Sequence, residues 1–286
     1  MDKRVLVTGA NSGMGKALSL RLARDGYAVV MLCRDPERGR LAVEETARLS
    51  GNAAVSLLVA DLGSLASVRA AVEVFMRDFG ALDVLVDNAG VILPRRRETD
   101  DGFEYQFGVN HLGHFALTLG LLPALARSDG ARIVIVSSGA HVIGKLDFGD
   151  IGLTSHYSAF GAYGRSKLAN LLFGYELADR LRSRRISVNC LHPGAVGTGI
   201  GVDRDTGFGK GVTGLLRPFF KTPEQGADTA YYLATDPAVG AVTGEYFVNR
   251  RIRPSSKKSR DKALAKRLWA LSAEMTGAAW PWPEPD

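Results

Sequence analysis

Between an apolar run at Arg4–Thr8 and a helical pattern near residues 15–25 lies Thr8-Gly-Ala-Asn-Ser-Gly-Met-Gly15. Three glycines in so short a connection constrain the backbone more than any other stretch of the chain. They allow a tight strand-to-helix turn and let an anion come close to backbone N–H groups, where the helix dipole adds favourable potential. An ordinary connection needs no such concentration of glycine. Gly9, Asn11, Ser12, Gly13, Met14 and Gly15 are therefore candidate contacts to a pyrophosphate, on a strand–turn–helix unit of dinucleotide-binding type.

The rest of the chain repeats the alternation. Residues 27–32, 53–59, 84–87, 132–137, 186–191 and 245–248 read as strands, with helical patterns at 36–49, 64–79, about 102–126, 157–183 and 223–235. Such alternation signals a parallel sheet covered on both faces. The expected fold is α/β: a Rossmann-type, doubly wound, seven-stranded, mainly parallel sheet with helices on both faces. Pro36 stands in its permitted first helical turn, and Ser64 is placed to cap the third helix. The 102–126 helix is expected to bend near its glycines or Pro123. Residues 1–250 are read as one dinucleotide-binding and catalytic domain, with a substrate lid at about 197–222. Residues 251–286 are read as a basic extension with an amphipathic helix at 262–275. The Pro-rich end, 279–286, is expected to be disordered or to pack on a partner.

Composition narrows the class. At 286 residues, with 46% hydrophobic and 23% charged residues, the chain can bury a full core of ordinary soluble type. It has no apolar run of 18 residues, and its start lacks the apolar stretch and cleavage site of a signal peptide. No transmembrane segment and a cytoplasmic location are expected. Cys33 and Cys190 fit small buried hydrophobes, and the five histidines lack paired zinc-helix spacing, so no metal is expected. The net charge of +6 is local: residues 250–267 hold nine Arg or Lys against Asp261 alone, which leaves the remainder slightly acidic. That pattern is a solvated surface strip and not a nucleic-acid footprint.

Tyr163 and Lys167 are four residues apart in a predicted helix, which puts them on one face. A phenol is a poor acid–base catalyst at neutral pH, and a neighbouring ammonium is expected to draw its pKa down. At the end of strand two, Arg34 is placed to bind a ribose 2′-phosphate, favouring NADP(H) over NAD(H). Asp35 beside it either pairs with Arg34 or orients a ribose hydroxyl. Asp61, ending strand three, either accepts from an adenine amino group or places charge at a helix N-terminus.

With Thr8–Gly15, Asp61-Leu62, Asn88-Ala-Gly90, Asn110, Val136-Ser-Ser138, Tyr163…Lys167 and Pro193-Gly-Ala-Val-Gly-Thr198 in this order, the chain resembles the short-chain dehydrogenase/reductase superfamily over about residues 3–250. It is most similar to the retinol dehydrogenase branch, which includes the WW-domain-containing oxidoreductases. Residues 101–115, Ser166-Lys-Leu-Ala-Asn170, Leu191-His-Pro-Gly194 and Lys221-Thr-Pro-Glu224 carry that likeness. The chain departs from the branch in showing neither a membrane-anchoring N-terminal segment nor WW domains. Asp87 stands where the superfamily often has Asn, and is read as a tolerated variation.

The resemblance implies Tyr163 as general acid in reduction and base in oxidation, and Ser138 as hydrogen-bond donor to the substrate oxygen. It implies Lys167 on the nicotinamide ribose and Asn110 positioning a water that relays protons through Lys167. It also implies cofactor contacts from Leu62, Asn88, Ala89, Gly90, Pro193, Gly194, Val196 and Thr198. Ser137, the competitor for the Ser138 role, should point to the opposite face of its strand. The expected activity is an NADP(H)-dependent carbonyl reductase or alcohol dehydrogenase. Its substrate would be lipophilic, closed over by a flap carrying Leu215, Leu216, Phe219 and Phe220. A homodimer or homotetramer through helices including that of Tyr163 is implied, unless the C-terminal tail occupies that surface. The rival readings are an epimerase-like enzyme without net redox change and a dinucleotide-binding sensor or scaffold.

Overall fold

The structure, a computed structural model, describes residues 3–196 and 221–283. Its first half contains β1 (Arg4–Thr8), α1 (Gly13–Arg24), β2 (Ala28–Cys33), α2 (Pro36–Ser50), β3 (Val55–Val59), α3 (Leu65–Asp78) and β4 (Val84–Asp87). A short α4 (Tyr105–Phe107) leads through a π-helical turn, Gly108–Leu112, into α5 (Gly113–Leu125). Then come β5 (Ala131–Val136), a 3₁₀ turn at Gly139–Ile143, α6 (Ala159–Arg180) and β6 (Ile186–His192). The described chain ends with α7 (Pro223–Thr235), β7 (Glu245–Val248), β8 (Arg251–Ile252) and α8 (Lys262–Thr276).

The strands form one sheet in the order β3-β2-β1-β4-β5-β6-β7-β8. All pairings from β3 to β7 are parallel. Alternate residues enter different layers. Val5 and Val7 of β1 join Leu18, Leu22, Ala42 and Ala230 on the side of α1, α2 and α7. Leu6 between them joins Phe75, Phe115 and Leu171 on the side of α3, α5 and α6. Burial on both faces is why the strands read as continuous apolar runs. The strand order reverses between β1 and β4, which opens a crevice at the carboxyl ends of the strands.

Among the described residues the sheet has eight strands where seven were expected. Asn249 and Arg250 adopt φ of 51° and 59°, and this two-residue turn folds β8 back antiparallel on β7. Two non-glycine residues with positive φ give little turn signal in a sequence, although they match the hairpin geometry that suits twisted strands.

The expected helix at 102–126 is also divided. Glu104 accepts from the N–H groups of Gln106 and Phe107, so the helix begins there. The preceding Asp101 turns away and accepts from Leu65 N at 2.8 Å, capping α3 in place of Ser64, whose side chain makes no cap bond. A π turn beginning at Gly108 interrupts the α-helical path, and Pro123 lies within α5. A Cβ on Gly113 would meet the Leu62 carbonyl oxygen at 2.2 Å, so α5 starts in backbone contact with the loop after β3.

The C-terminal segment packs back onto the fold. Trp269 of α8 is buried against Phe115 of α5 and Phe173 of α6, with centroids 5.1 and 5.9 Å away. Trp280 stacks edge-on against Trp269, and Trp282 against Trp280. Arg180 lies 4.3 Å from the Trp269 ring centroid and Arg184 3.6 Å from that of Trp282. Each such contact contributes on the order of 1 kcal/mol beyond buried area. Through residue 283 the Pro-rich end is therefore ordered on its own chain, and α8 covers the α5–α6 surface. Residues 197–220 of the proposed lid, with its flap residues and Thr198, lie outside the described residues.

Candidate active site

The glycine turn leaves the end of β1 and supports α1 by close approach. Gly9 has φ 65°, and a Cβ on Gly15 would meet the Gly9 carbonyl oxygen at 2.4 Å and Asn88 Nδ2 at 2.5 Å. Ser12 occupies the N-cap position but makes no cap bond with its side chain, and the first turn of α1 contains no acid. The first N–H groups of a helix have no partner within the helix, so this end presents donors and a positive dipole. The donors at this helix end suit a phosphate because no side chain or acid caps them, while Gly15 allows close packing on Gly9 and Asn88.

The remaining predicted contacts are delivered by the ends of successive strands. Arg34 follows β2 and is exposed, with Nη1 donating to Tyr105 Oη at 2.8 Å. Asp35 does not pair with it; its Oδ1 accepts from Arg38 N and caps α2. Asp61 follows β3, and its Oδ1 accepts from Gly63 N at 2.8 Å, fixing the loop that also carries Leu62. Asn88, Ala89 and Gly90 follow β4. The hydroxyl of Thr8 accepts from Asn88 N and Ala89 N, while Asn88 Nδ2 donates to Thr8 O. After β6, Lys221 Nζ donates to Pro193 O and Asn249 Oδ1, bracing the turn through Gly194, and Val196 pairs with Lys221.

Ser138 lies just beyond β5 and Tyr163 in the first turns of α6. Burial holds the Tyr163 phenol above its ordinary pKa, and a hydrogen bond with Ser138 acts to lower it. This differs from the expected acidification by Lys167. Lys167 is buried, and its Nζ donates to Val136 O at 3.1 Å and stands 5.7 Å from the Tyr163 ring centroid. Desolvation also brings Lys167 itself down to about 8. In this state the burial of the phenol outweighs the lowering effect of the Ser138 bond.

Asn110 is fully buried in the π turn. Its Oδ1 accepts from Val91 N, and its Nδ2 donates to Val91 O and Ser166 Oγ. Ser166 Oγ in turn donates to Tyr163 O. A Cβ placed on Gly90 would stand 3.5 Å from Lys167 Nζ and 3.7 Å from Asn110 Oδ1, so these polar groups border one small space. Ser137 Oγ instead donates to the Lys167 carbonyl oxygen and anchors α6.

Residues 3–207 match the model of the family described as short chain dehydrogenase. The chain belongs to the short-chain dehydrogenase family. Retinol dehydrogenase 14 of Homo sapiens is 41% identical to it over 296 residues, covering 96% of this chain and 86% of the relative. Retinol dehydrogenase 12 of Mus musculus is 41% identical, covering 97% and 87%. Among solved structures, an uncharacterized protein from Mycobacterium paratuberculosis has TM-score 0.77 and 33% identity, covering 98% of this chain and 95% of that one. A short chain dehydrogenase from Shigella flexneri complexed with NADP has TM-score 0.67 and 26% identity, covering 86% and 96%. This short-chain dehydrogenase is accordingly an oxidoreductase of the carbonyl/alcohol class in a family that binds nicotinamide dinucleotides.

Several supporting residues went unnoticed in the sequence. Thr8 joins the turns after β1 and β4, and Tyr105 meets Arg34 across the cleft. His114 bridges Thr8 Oγ1 and the Asn110 carbonyl oxygen, at 2.9 and 3.1 Å. Burial holds it neutral, with a pKa of about 3. One ring nitrogen accepts from Thr8 and the other donates to Asn110, a tautomer set by these partners. Only long-range contacts reveal such roles. Thr8 alone had a local signal, as the first residue of the glycine motif.

Proposed function

We propose that this short-chain dehydrogenase reduces a carbonyl on a lipophilic small molecule to an alcohol, with NADP(H) as its cofactor. The observation that carries the reading is the Ser138–Tyr163–Lys167 cluster beside the bare N-terminus of α1. Gly9 and residues 11–15 would hold the pyrophosphate, with Asn88–Gly90 and the 193–196 turn bordering the rest of the cofactor. Bound NADPH supplies a hydride.

Tyr163 is the general acid. Its raised pKa keeps the proton on the phenol at neutral pH, the form required for delivery to a carbonyl oxygen in reduction. Ser138 donates a hydrogen bond to the same oxygen and stabilises its developing charge. Lys167 holds the ribose and supplies positive charge, and Asn110 fixes the wall between Val91 and α6. Arg34 supports the NADP(H) preference because it is exposed, while Asp35 is committed to a helix cap. The lipophilic substrate is supported by Val142, Ile143 and Phe160, which are 57–70% exposed. Ile143 packs over Gly164, one turn beyond Phe160, so this exposed apolar cluster includes the helix that carries Tyr163.

A panel of ketones and aldehydes assayed with NADPH and NADH tests the reading. Tyr163→Phe is expected to lower turnover by roughly 10²–10⁴-fold while NADPH binding, followed by fluorescence, persists. Wild-type turnover unaffected by this substitution would overturn the catalytic assignment. NADPH binding without turnover of any member of the panel would favour a sensor or scaffold.

A further inference from the structure

Asp87 closes β4 at the reversal of strand order and is 1% exposed. Its surroundings are not those of a passive stand-in for Asn. Oδ2 accepts from Thr118 Oγ1 at 2.8 Å, while Oδ1 is buried without a hydrogen-bond partner. The sheet register puts Asp87 opposite Ile135, and the next residue, Val136, presents the carbonyl that accepts from Lys167 Nζ. Carboxyl and amine thus lie at the ends of adjacent strands, beneath α5 and α6.

Burial pushes Asp87 up to about 7 and brings Lys167 down to about 8, while each draws the other toward its charged form. The neighbouring titratable groups remain neutral through this range. Cys190 of β6, on the same side of the sheet beyond Ile135, is pushed far up by burial. His114, which faces Lys167, and His111 beside it are held at about 3. Asp87 is therefore the acidic group of this buried layer able to oppose the charge of Lys167.

We propose that Asp87 is the buried counter-charge that keeps Lys167 an ammonium in the neutral range, acting through Lys167 without touching substrate or cofactor. This inference rests on the reading of Lys167 as the amine beside the reacting phenol. It makes Asp87 a positioning residue for charge: an Asn would preserve the shape and the Thr118 bond but not the attraction.

Asp87→Asn tests it directly. In protein carrying ¹³C at lysine Cε, the Lys167 resonance, assigned by its loss in Lys167→Arg, is expected to titrate about one pH unit lower in D87N than in wild type. The alkaline limb of kcat/KM for carbonyl reduction should move down by a similar amount. Stability changes in the opposite sense. An acid whose folded-state pKa exceeds its unfolded value loses stability as pH rises through both values, here from about 4 to about 7. D87N should therefore melt above wild type at pH 8, with the difference shrinking toward pH 5. Thr118→Val, which removes the hydroxyl donor to Asp87, should lower the Lys167 midpoint by less than D87N does. An unchanged Lys167 midpoint in D87N overturns the proposal whatever happens to Tm, and a raised midpoint in T118V contradicts it. The NMR measurement requires no turnover, so its failure is distinct from failure of the proposed reaction.

Discussion

Helices α1 and α2 follow neighbouring strands at the same edge of the sheet, yet their N-termini are built in opposite ways. At α2, Asp35 accepts from Arg38 N at 3.0 Å, Pro36 occupies the first turn and Glu37 adds negative charge. At α1, the Ser12 side chain caps nothing and no acid follows it. The helix with a structural task carries its own anion. The other keeps its donors and positive potential available, at a point where the chain also approaches itself closely.

The largest expected break in this contrast is Gly15→Ala. Alanine normally stabilises a helix interior by about 1 kcal/mol relative to glycine. Here its Cβ would enter the Gly9 carbonyl oxygen and Asn88 Nδ2, so the turn must move. A loss of about 1–3 kcal/mol in urea unfolding and a more than tenfold weaker NADPH complex are expected. Unchanged NADPH affinity in a folded G15A protein would remove the phosphate from α1.

Arg34→Ala separates the two helix ends chemically. Loss of a charge-assisted contact to the 2′-phosphate should cost about 1.5–3 kcal/mol of NADPH binding, while NADH binding hardly changes. Equal losses for both dinucleotides in a binding titration would refute the assignment of Arg34. The smallest effects concern the caps themselves. Asp35→Ala should cost about 1 kcal/mol of stability. Ser12→Ala should stay within about 0.5 kcal/mol of wild type, because no cap bond is lost. Equal destabilisation in the two variants would erase the distinction.

The sequence made the parallel sheet legible because β1, β4, α7 and β7 carry simple local signals: apolar runs, Pro223 in a first turn and the glycine motif after β1. The strand-end residues were legible for the same reason, since chain order and sheet order are tied at each crossover. What escaped was set by partners distant in sequence. Asp101 could not be read as the cap of Leu65, 36 residues earlier. The turn at Asn249–Arg250 lacks glycine, so β8 merged with the basic strip. Tyr163 was expected to be acidified because spacing shows that Lys167 is near; it does not show how strongly each is desolvated. The burial of Asp87 beside Thr118 is likewise set by a partner distant in sequence.

The placement of α8 has a consequence for how this protein comes into being. Phe115 and Phe173 are synthesised well before Trp269, the ring that covers both. The first strands and helices can assemble as translation proceeds, whereas that aromatic face must wait for α8. Burial of that face is thereby tied to the emergence of a helix nearly a hundred residues beyond Phe173.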